Sequence, residues 1–386
     1  MIAARARTFT ESVIREMTRV AATHGAINLA QGFPDFAMPE ALKAAACAAI
    51  NADDNQYAIT WGQKPLRDAI AAKYRDWYGM EVDPEREVTV TCGATEAMAA
   101  VCLALIDPGD EVIVLEPFYE NYGPDAILCG ASPKFVPLER PDWRLDPDRL
   151  RAAFSDKTRA IIVNTPQNPS GKVLSREDLG LIAELCIKHD AWAITDEIYE
   201  HIRYEGEHHL LALFPGMRER TVTISGLSKT FSCTGWRLGY TVAPEAQTAA
   251  IRKVHDFLTV GAPAPLQAAG AVGMHFDADY YNHMALDYRS RRSLLCDSLT
   301  DAGFTFTQPE GAYYVLADFS GLSDMDDVTF AKWMCTEIGV ATVPGSSFYS
   351  PGNRAMGRSL VRFAFCKKYD TLKRAAERLS TVRSSV

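Results

Sequence analysis

The sequence lacks the features that mark membrane proteins and nucleic-acid-binding proteins. No stretch of the 386 residues approaches the roughly 18 consecutive apolar residues that a membrane-spanning helix needs. The 40 basic and 49 acidic residues give a formal net charge of -9, and both signs are scattered along the chain. Because a nucleic-acid surface needs clustered lysine and arginine, this distribution argues against one.

The nine cysteines form no CxxC pair, so the sequence offers no zinc-binding spacing and we expect no metal site. In a chain of this length, they are expected to be buried thiols in a reducing compartment. The N-terminal stretch MIAARARTFTESVIREMTRV has arginines but no apolar h-region, and it contains Glu11 and Glu16. These features argue against a secretory signal and a transit peptide, so we expect a cytoplasmic protein.

Nucleotide-binding motifs are also missing. The segment NPSGK ends in the Gly-Lys pair of a phosphate-binding loop, but Pro166 occupies the position of the required earlier glycine. No GxGxxG follows a β-rich segment. ATP and NAD are therefore disfavoured, whereas a small ligand with a single phosphate stays compatible with the sequence.

Short β-branched runs alternate with longer helical stretches over much of the chain. Most of these runs are apolar on both faces, as in a parallel sheet that helices cover. The pattern predicts an α/β fold whose large domain has a mainly parallel, doubly wound sheet covered by helices. Seven runs are the candidate strands, namely 87–92, 111–116, 134–138, 160–164, 192–196, 221–225 and 238–243.

The pattern changes after residue 270. A long helical run from about Asp277 to Ala302 precedes FTFTQPEGAYYVLADF, which is typical of strands, and then a helix near 327–338 and SLVRFAF. These segments predict a smaller α+β domain. We expect residues 45–285 to form the large domain, and residues 1–44 with 286–386 to form the small one. A single continuous domain is the alternative.

Chemically distinct side chains follow the strands, at the sheet edge where ligands bind in open α/β folds. Gly93 and Thr95 open a helix whose N-terminus suits a phosphate, Asp196 ends an apolar strand, and Lys229 follows the next strand. Arg237 is suited to bidentate contact with phosphate. Each also has an ordinary structural explanation: a helix cap for Thr95 or Asp196, an exposed turn for Lys229 and a surface ion pair for Arg237.

Taken together, these side chains match a cofactor that has a phosphate, an aldehyde and a ring nitrogen. A desolvated lysine near an arginine has a depressed pKa, so its amine becomes a nucleophile that can capture an aldehyde. A carboxylate can keep a ring nitrogen protonated. Pyridoxal phosphate (PLP) has all three groups, and the sequence therefore predicts PLP as the cofactor.

Eight motifs, in order along nearly the whole chain, resemble those of the fold-type I, class I PLP-dependent aminotransferases. The resemblance is strongest to the branch with aspartate, methionine, glutamine and kynurenine aminotransferases. It implies the fold-type I architecture, with a mainly parallel seven-stranded sheet and a smaller α+β domain. The motifs are INLAQGFPDF, DNQYAITWG, VTCGATEAM, EPFYENY, NTPQNPSGKV, ITDEIYEHIRY, SGLSKTFSCTGWRLGY and SLVRFAF.

The resemblance implies a role for each site residue. Lys229 would join PLP as a Schiff base and move the proton of the substrate α-carbon, and Asp196 would keep the pyridine nitrogen protonated. Asn168 and Tyr199 would hydrogen-bond the ring oxygen, with Asn168 also beside the substrate, whose α-carboxylate Arg362 would grip. The other expected contacts are Tyr119 on the ring face, Gly93, Ala94, Thr95, Ser228 and Arg237 on the phosphate, Gly32 beside the α-carboxylate, and Tyr57 on the phosphate from a neighbouring subunit.

Two departures from the family pattern bear on the site. Gly226 stands three residues before the lysine, where many relatives have a serine that binds the phosphate. Val260 and Gly261 align where the kynurenine branch has an aromatic residue and a histidine. The second departure puts a kynurenine-specific pocket in doubt.

The implied reaction is a ping-pong transfer of an amino group from an L-amino acid to a 2-oxo acid, most often 2-oxoglutarate in this family. It would take place in a homodimer with shared active sites. A PLP-dependent carbon–sulfur β-lyase on cysteine conjugates and a non-catalytic PLP-binding module are the alternatives. The substrate side chain stays open among acidic, methionine, glutamine and aromatic amino acids. The arginines that could bind a second carboxylate are Arg15, Arg19, Arg289, Arg291 and Arg292.

Overall fold

Three β-sheets with packed helices make up the part of the chain that the computed structural model describes, residues 3–7, 9 and 11–385. The strands there are β1 (Ile27–Asn28), β2 (Val88–Thr91), β3 (Glu111–Glu116), β4 (Ser132–Pro137), β5 (Thr158–Asn164), β6 (Trp192–Asp196), β7 (Thr221–Gly226), β8 (Gly239–Val242), β9 (Tyr314–Asp318), β10 (Val340–Ala341), β11 (Val343–Pro344) and β12 (Leu360–Ala364). The α-helices are α1 (Val13–His24), α2 (Glu40–Asn51), α3 (Lys64–Tyr78), α4 (Ala94–Leu105), α5 (Tyr122–Leu128), α6 (Pro147–Ala153), α7 (Arg176–Lys188), α8 (Glu245–Thr259), α9 (Ala264–Met274), α10 (Ala278–Asp301), α11 (Asp327–Trp333), α12 (Tyr369–Leu379) and α13 (Val382–Ser385).

The central sheet has seven strands in the order β2-β8-β7-β6-β5-β3-β4. Neighbours from β4 to β7 pair in parallel, whereas β8 is antiparallel to both β2 and β7. Residues of both faces are buried along β6 and β7, as expected for a sheet that helices cover. All seven candidate runs form strands of this sheet, so the predicted mainly parallel α/β fold is confirmed.

Local sequence signals explain the helices that connect these strands. α7 begins with a capping box, in which the Ser175 hydroxyl accepts from the backbone N–H of Asp178 and the Asp178 carboxylate accepts from that of Ser175. α4 follows β2 directly after Gly93. The position of α4 agrees with the helix predicted to begin at Gly93 and Thr95.

The C-terminal part forms a three-stranded antiparallel sheet in the order β11-β12-β9. One expectation differs here, because FTFTQPEGAYYVLADF contributes a single strand, β9. Earlier in that segment Thr305 makes only an isolated bridge to Asp318. Pro309 has no N–H for a ladder, and Gly311 packs so closely that an added Cβ would lie 2.6 Å from Pro166.

The N-terminal segment joins both parts of the molecule. β1 pairs in parallel with β10, and α2 packs against α9. Both expected domain limits fall inside helices, 44/45 in α2 and 285/286 in α10, and the division at those positions stays a prediction. Within the described ranges, no helix is long and apolar enough to cross a membrane.

Candidate active site

A cavity of about 320 Å³ lies at the carboxyl ends of the central strands. Asn164 and Asp196 end β5 and β6, and Lys229 follows β7, so three neighbouring strands bring their polar ends to one edge. Nine of the predicted site residues line this cavity: Ala94, Thr95, Tyr119, Asn168, Asp196, Tyr199, Ser228, Lys229 and Arg237.

The Lys229 amine lies between the central sheet, whose strand β7 it follows, and the N-terminal segment that contains Gly32. Its Nζ donates a 3.3 Å hydrogen bond to the carbonyl oxygen of Gly32. Burial lowers the pKa of Lys229 to about 8; the positive charges of Arg237 and Arg362 add to the effect, and the charge of Asp196 opposes it. An appreciable fraction of the amine is therefore neutral near neutral pH, as a nucleophile or a base must be.

Asp196 is a buried carboxylate with fixed partners. Its Oδ2 accepts a 2.7 Å hydrogen bond from the Tyr122 hydroxyl, and its Oδ1 accepts a 3.3 Å bond from the Ile198 backbone N–H. The Asn164 amide holds the Asp196 backbone carbonyl at 2.8 Å. Burial raises the pKa of Asp196, while the hydrogen bonds and the charge of Lys229 oppose that rise.

The N-terminus of α4 and Arg237 form an anion cradle. The first N–H groups of a helix have no intrahelical partner, and no side chain caps this end. Gly93 has φ 85°, and a Cβ there would lie 2.4 Å from Nη2 of Arg237. Only glycine therefore lets the guanidinium lie against this turn. Ser228 adds a hydroxyl to the same cavity wall.

The structure gives a physical reason for glycine at position 226. A Cβ there would lie 2.8 Å from the carbonyl oxygen of Leu238 and 3.0 Å from the Cα of Gly239. The backbones of β7 and β8 thus approach too closely for a serine at this point. Ser228 and Thr234 are the hydroxyls of this loop that line the cavity.

Arg362, on β12, is a buried cation with incomplete partners. Its Nη1 donates to Asn168 Oδ1 at 2.8 Å and its Nη2 to the Ala30 carbonyl at 2.7 Å. Its Nε has no hydrogen-bond partner, and no carboxylate among the described residues pairs with it. Because an unpaired buried charge is costly, this guanidinium suits an incoming carboxylate. Gly32 lies nearby, where a Cβ would meet the Tyr314 hydroxyl.

Four predicted site residues do not line the cavity, and three of them, Gly32, Gly93 and Arg362, contact residues that do. The fourth is Tyr57. It is 88% exposed and is absent from the cavity wall. Its predicted contact requires a second subunit.

Several cavity residues were not predicted from the sequence. Tyr122 and Asn164 could have been found, since Tyr122 follows Tyr119 at helical spacing and Asn164 ends a strand. Tyr314 could not, because it comes from the C-terminal sheet; its hydroxyl lies 3.2 Å from that of Tyr199. Asp125 also lines the wall.

A second buried polar cluster lies outside this cavity wall. Glu197, Glu200 and His208 bring possible metal-ligand atoms within 4.8 Å of one another. Lys73 already forms a buried ion pair with Glu200, and its charge would repel a cation there. We assign no metal to this cluster, and the expected absence of a metal site stays a prediction.

Apart from Arg15, the residues that line the cavity fall within one family match. The model of the family Aminotransferase class I and II matches residues 24–379. The chain belongs to this aminotransferase family. It is a PLP-dependent aminotransferase, with the fold and the branch that its motifs predicted.

Several known proteins align with this aminotransferase over almost its whole length. The probable N-succinyldiaminopimelate aminotransferase of Mycobacterium tuberculosis is 41% identical over 99% of this chain and 98% of that protein. Its solved structure has a TM-score of 0.96 and covers 99% and 100% of the two chains. The methionine aminotransferase of Escherichia coli is 39% identical over 95% of each chain. Human kynurenine–oxoglutarate transaminase 3 is 38% identical over 94% of this chain and 86% of that protein.

The cavity fits the cofactor of this family. An anion cradle, a buried carboxylate and a lysine of lowered pKa surround one space, and they match the phosphate, ring nitrogen and aldehyde of PLP.

Proposed function

We propose that this aminotransferase moves the amino group of an L-amino acid to a 2-oxo acid, with 2-oxoglutarate as the main acceptor, and that Lys229, Asp196 and Arg362 carry the reaction. One observation supports this assignment above others. A lysine with a lowered pKa and a buried carboxylate line one cavity, and a buried arginine that has no anionic partner among the described residues bonds Asn168 in its wall.

Bound PLP supplies an aldehyde for the substrate amine and a ring that accepts the electrons of the α-carbon–hydrogen bond. The Lys229 amine would remove the proton from the substrate α-carbon and would deliver it to the cofactor carbon that carried the aldehyde. The Asp196 carboxylate, oriented by Tyr122, holds a proton on the ring nitrogen. Tyr199 and Asn168 orient the ring through its oxygen, and Tyr119 covers one face.

Two groups of residues hold the charged ends of the ligands. Gly93, Ala94, Thr95, Ser228 and Arg237 bind the cofactor phosphate through the helix N-terminus, a hydroxyl and a guanidinium. Arg362 binds the substrate α-carboxylate, which completes its hydrogen bonding. Asn168 fixes the guanidinium, and the lack of a Cβ at Gly32 lets the Tyr314 side chain lie close to the Gly32 backbone.

We place the active site at the interface of a homodimer. Tyr57, Ile59, Phe257, Leu258 and Val260 form an exposed apolar patch, in which Tyr57 is 88% and Phe257 is 92% exposed. The patch is formed by two segments, around residues 57–60 and 256–261. These segments are in contact, because the Thr60 hydroxyl donates to the Asp256 carboxylate and Gly261 lies against the Thr60 backbone. Such a patch favours burial by a second copy, which would also carry Tyr57 to the partner's phosphate site.

We also propose a cytoplasmic location. All nine cysteines are free thiols, and most of them are buried. This state is typical of a protein in a reducing compartment.

The donor specificity is the part of the function that an experiment must define. Relatives are named for N-succinyldiaminopimelate, methionine and kynurenine. The test adds single amino acids, without an acceptor, to the PLP-loaded enzyme and follows its visible absorption. Conversion to the pyridoxamine form marks an amino donor.

Lys229→Ala is expected to abolish this conversion, whereas Lys64→Ala, which removes an exposed lysine paired with Asp68, is expected to leave it intact. Multiple turnovers by Lys229→Ala would contradict the proposed roles. Release of pyruvate and ammonia from cysteine conjugates, with no conversion by any amino acid, would instead indicate the β-lyase.

A further inference from the structure

Arg15 lies at the wall of the same cavity, although it comes from the first helix. Ser12 caps α1 through the Arg15 backbone N–H, and its hydroxyl also donates to Glu120. Glu120 stands between Tyr119 and Asn121, both of which line the cavity. The hydrogen bond from Ser12 to Glu120 therefore holds the start of α1 beside residues 119–121, and this places Arg15 at the cavity wall.

The other arginines that could have bound a second carboxylate are engaged elsewhere. None of the four lines the cavity. Their partners are Glu11 for Arg19, the Tyr204 carbonyl for Arg289, Asp287 for Arg291, and the Pro309 carbonyl and Glu205 for Arg292.

Arg15 differs from these four because none of the described residues pairs with its exposed guanidinium. Within the described ranges it makes no hydrogen bond or ion pair through its side chain. Arg15 helps to lower the pKa of the Glu11 carboxyl, but that carboxylate bonds Arg19 at 2.8 Å. An exposed guanidinium at the wall of an anion-binding cavity can therefore receive a ligand without breaking a protein contact.

We propose that Arg15 binds the second carboxylate of dicarboxylic substrates, and so makes acidic amino acids and 2-oxo diacids the preferred substrate class. This inference rests on the proposed function, in which Arg362 takes the α-carboxylate. A ping-pong enzyme binds donor and acceptor in turn at one site, so the same arginine serves both. Two guanidinium groups then fix both ends of the substrate, whereas a monocarboxylic substrate gains nothing from Arg15.

The test compares Arg15→Gln with Arg19→Gln, a matched control one helical turn away. Aspartate with 2-oxoglutarate is the dicarboxylic pair, and methionine with phenylpyruvate is the monocarboxylic pair. Arg15→Gln is expected to raise the KM of the dicarboxylic pair by about 10- to 100-fold with little change in kcat. The monocarboxylic pair is expected to change by less than about twofold, and Arg19→Gln should resemble the wild type with both pairs.

Binding of glutarate, an unreactive dicarboxylate, gives a readout that needs no turnover. Calorimetry is expected to show weaker binding by Arg15→Gln by a similar factor, and Arg15→Lys should recover part of the affinity. Equal effects of Arg15→Gln on both substrate pairs, or no effect on either, would overturn the inference.

The two proposals fail in different ways. If the wild-type enzyme transaminates only monocarboxylic amino acids, the assignment of Arg15 is wrong and the proposed function stands. If it converts no amino acid at all, the proposed function itself is wrong.

Discussion

The hydroxyl of Tyr122 donates a 2.7 Å hydrogen bond to Oδ2 of Asp196, and both groups are buried. This bond joins α5 to the end of β6. A hydrogen bond to the charged form of a carboxyl favours ionisation, so Tyr122 opposes the rise in pKa that burial imposes on Asp196. A residue from another element thus favours the ionised form of the carboxyl that we propose holds a proton on the ring nitrogen.

Removal of the Tyr122 hydroxyl should lower the affinity of the site for PLP but should leave the fold of the protein intact. Tyr122→Phe is expected to raise the pKa of Asp196 and to lower PLP affinity by about tenfold, as for one lost hydrogen bond to a charged group. Fluorescence titration of the apoenzyme with PLP measures this affinity. Tyr280→Phe, which removes a hydroxyl bonded to the Thr230 carbonyl, is the control. Equal PLP affinities in the two variants would contradict the role of Tyr122.

Gly93→Ala tests the close approach of Arg237 to the helix N-terminus. The new Cβ would lie 2.4 Å from Nη2 of Arg237, so the guanidinium must move. We expect PLP affinity to fall by about 10- to 100-fold. Gly79→Ala is a matched control, since Gly79 also has positive φ but no neighbour within 4 Å. The control should lose about 1–2 kcal/mol of stability through backbone strain and keep its PLP affinity.

Asn168→Ala should weaken the grip of Arg362 on the α-carboxylate. The amide oxygen of Asn168 accepts a 2.8 Å hydrogen bond from Nη1 of Arg362 and helps to fix the guanidinium. The KM of every amino acid should rise by about tenfold, irrespective of its side chain, in contrast to the selective effect expected of Arg15→Gln. Steady-state kinetics with several donors measures this pattern, with the surface variant Asn55→Ala as control. A rise confined to acidic donors would contradict the assignment.

Asp125 predicts a pH-dependent stability. Burial raises the pKa of Asp125 to about 7, and its Oδ2 has no hydrogen-bond partner. Since the unfolded carboxyl has a lower pKa, of about 3.9, the folded state binds more protons between these values. The contribution of Asp125 to the free energy of unfolding is therefore complete below pH ~4, and it is lost as the pH rises through about 7.

Asp125→Asn removes this titration. The variant should exceed the wild type in free energy of unfolding by about 1–3 kcal/mol at pH 8, and the gain should vanish near pH 4. Denaturant unfolding at several pH values measures it, with the exposed Asp324→Asn as control. A gain independent of pH would exclude the titration of Asp125 as its cause.

The order of strands and helices followed from local patterns. Runs such as TVTIS and WAITD are apolar on both faces because helices cover both sides of the central sheet. The segment FTFTQPEGAYY was misjudged, because the close packing of Gly311 on Pro166 depends on residues far apart in the chain. Half of the residues that line the cavity were also predicted from the sequence, among them Asp196 and Lys229, which stand at strand ends.

The sequence by itself determined three things: the alternation of strands and helices, the polar residues at the strand ends, and the motifs of the family. Each of these depends on residues that are close together in the chain. Tertiary structure alone decided which of five arginines reaches the cavity and which phenol bonds Asp196. It also left Arg362 bound to Ala30, 332 residues away, with Nε free. Such contacts depend on how distant segments pack, and helical or strand periodicity carries no information about that.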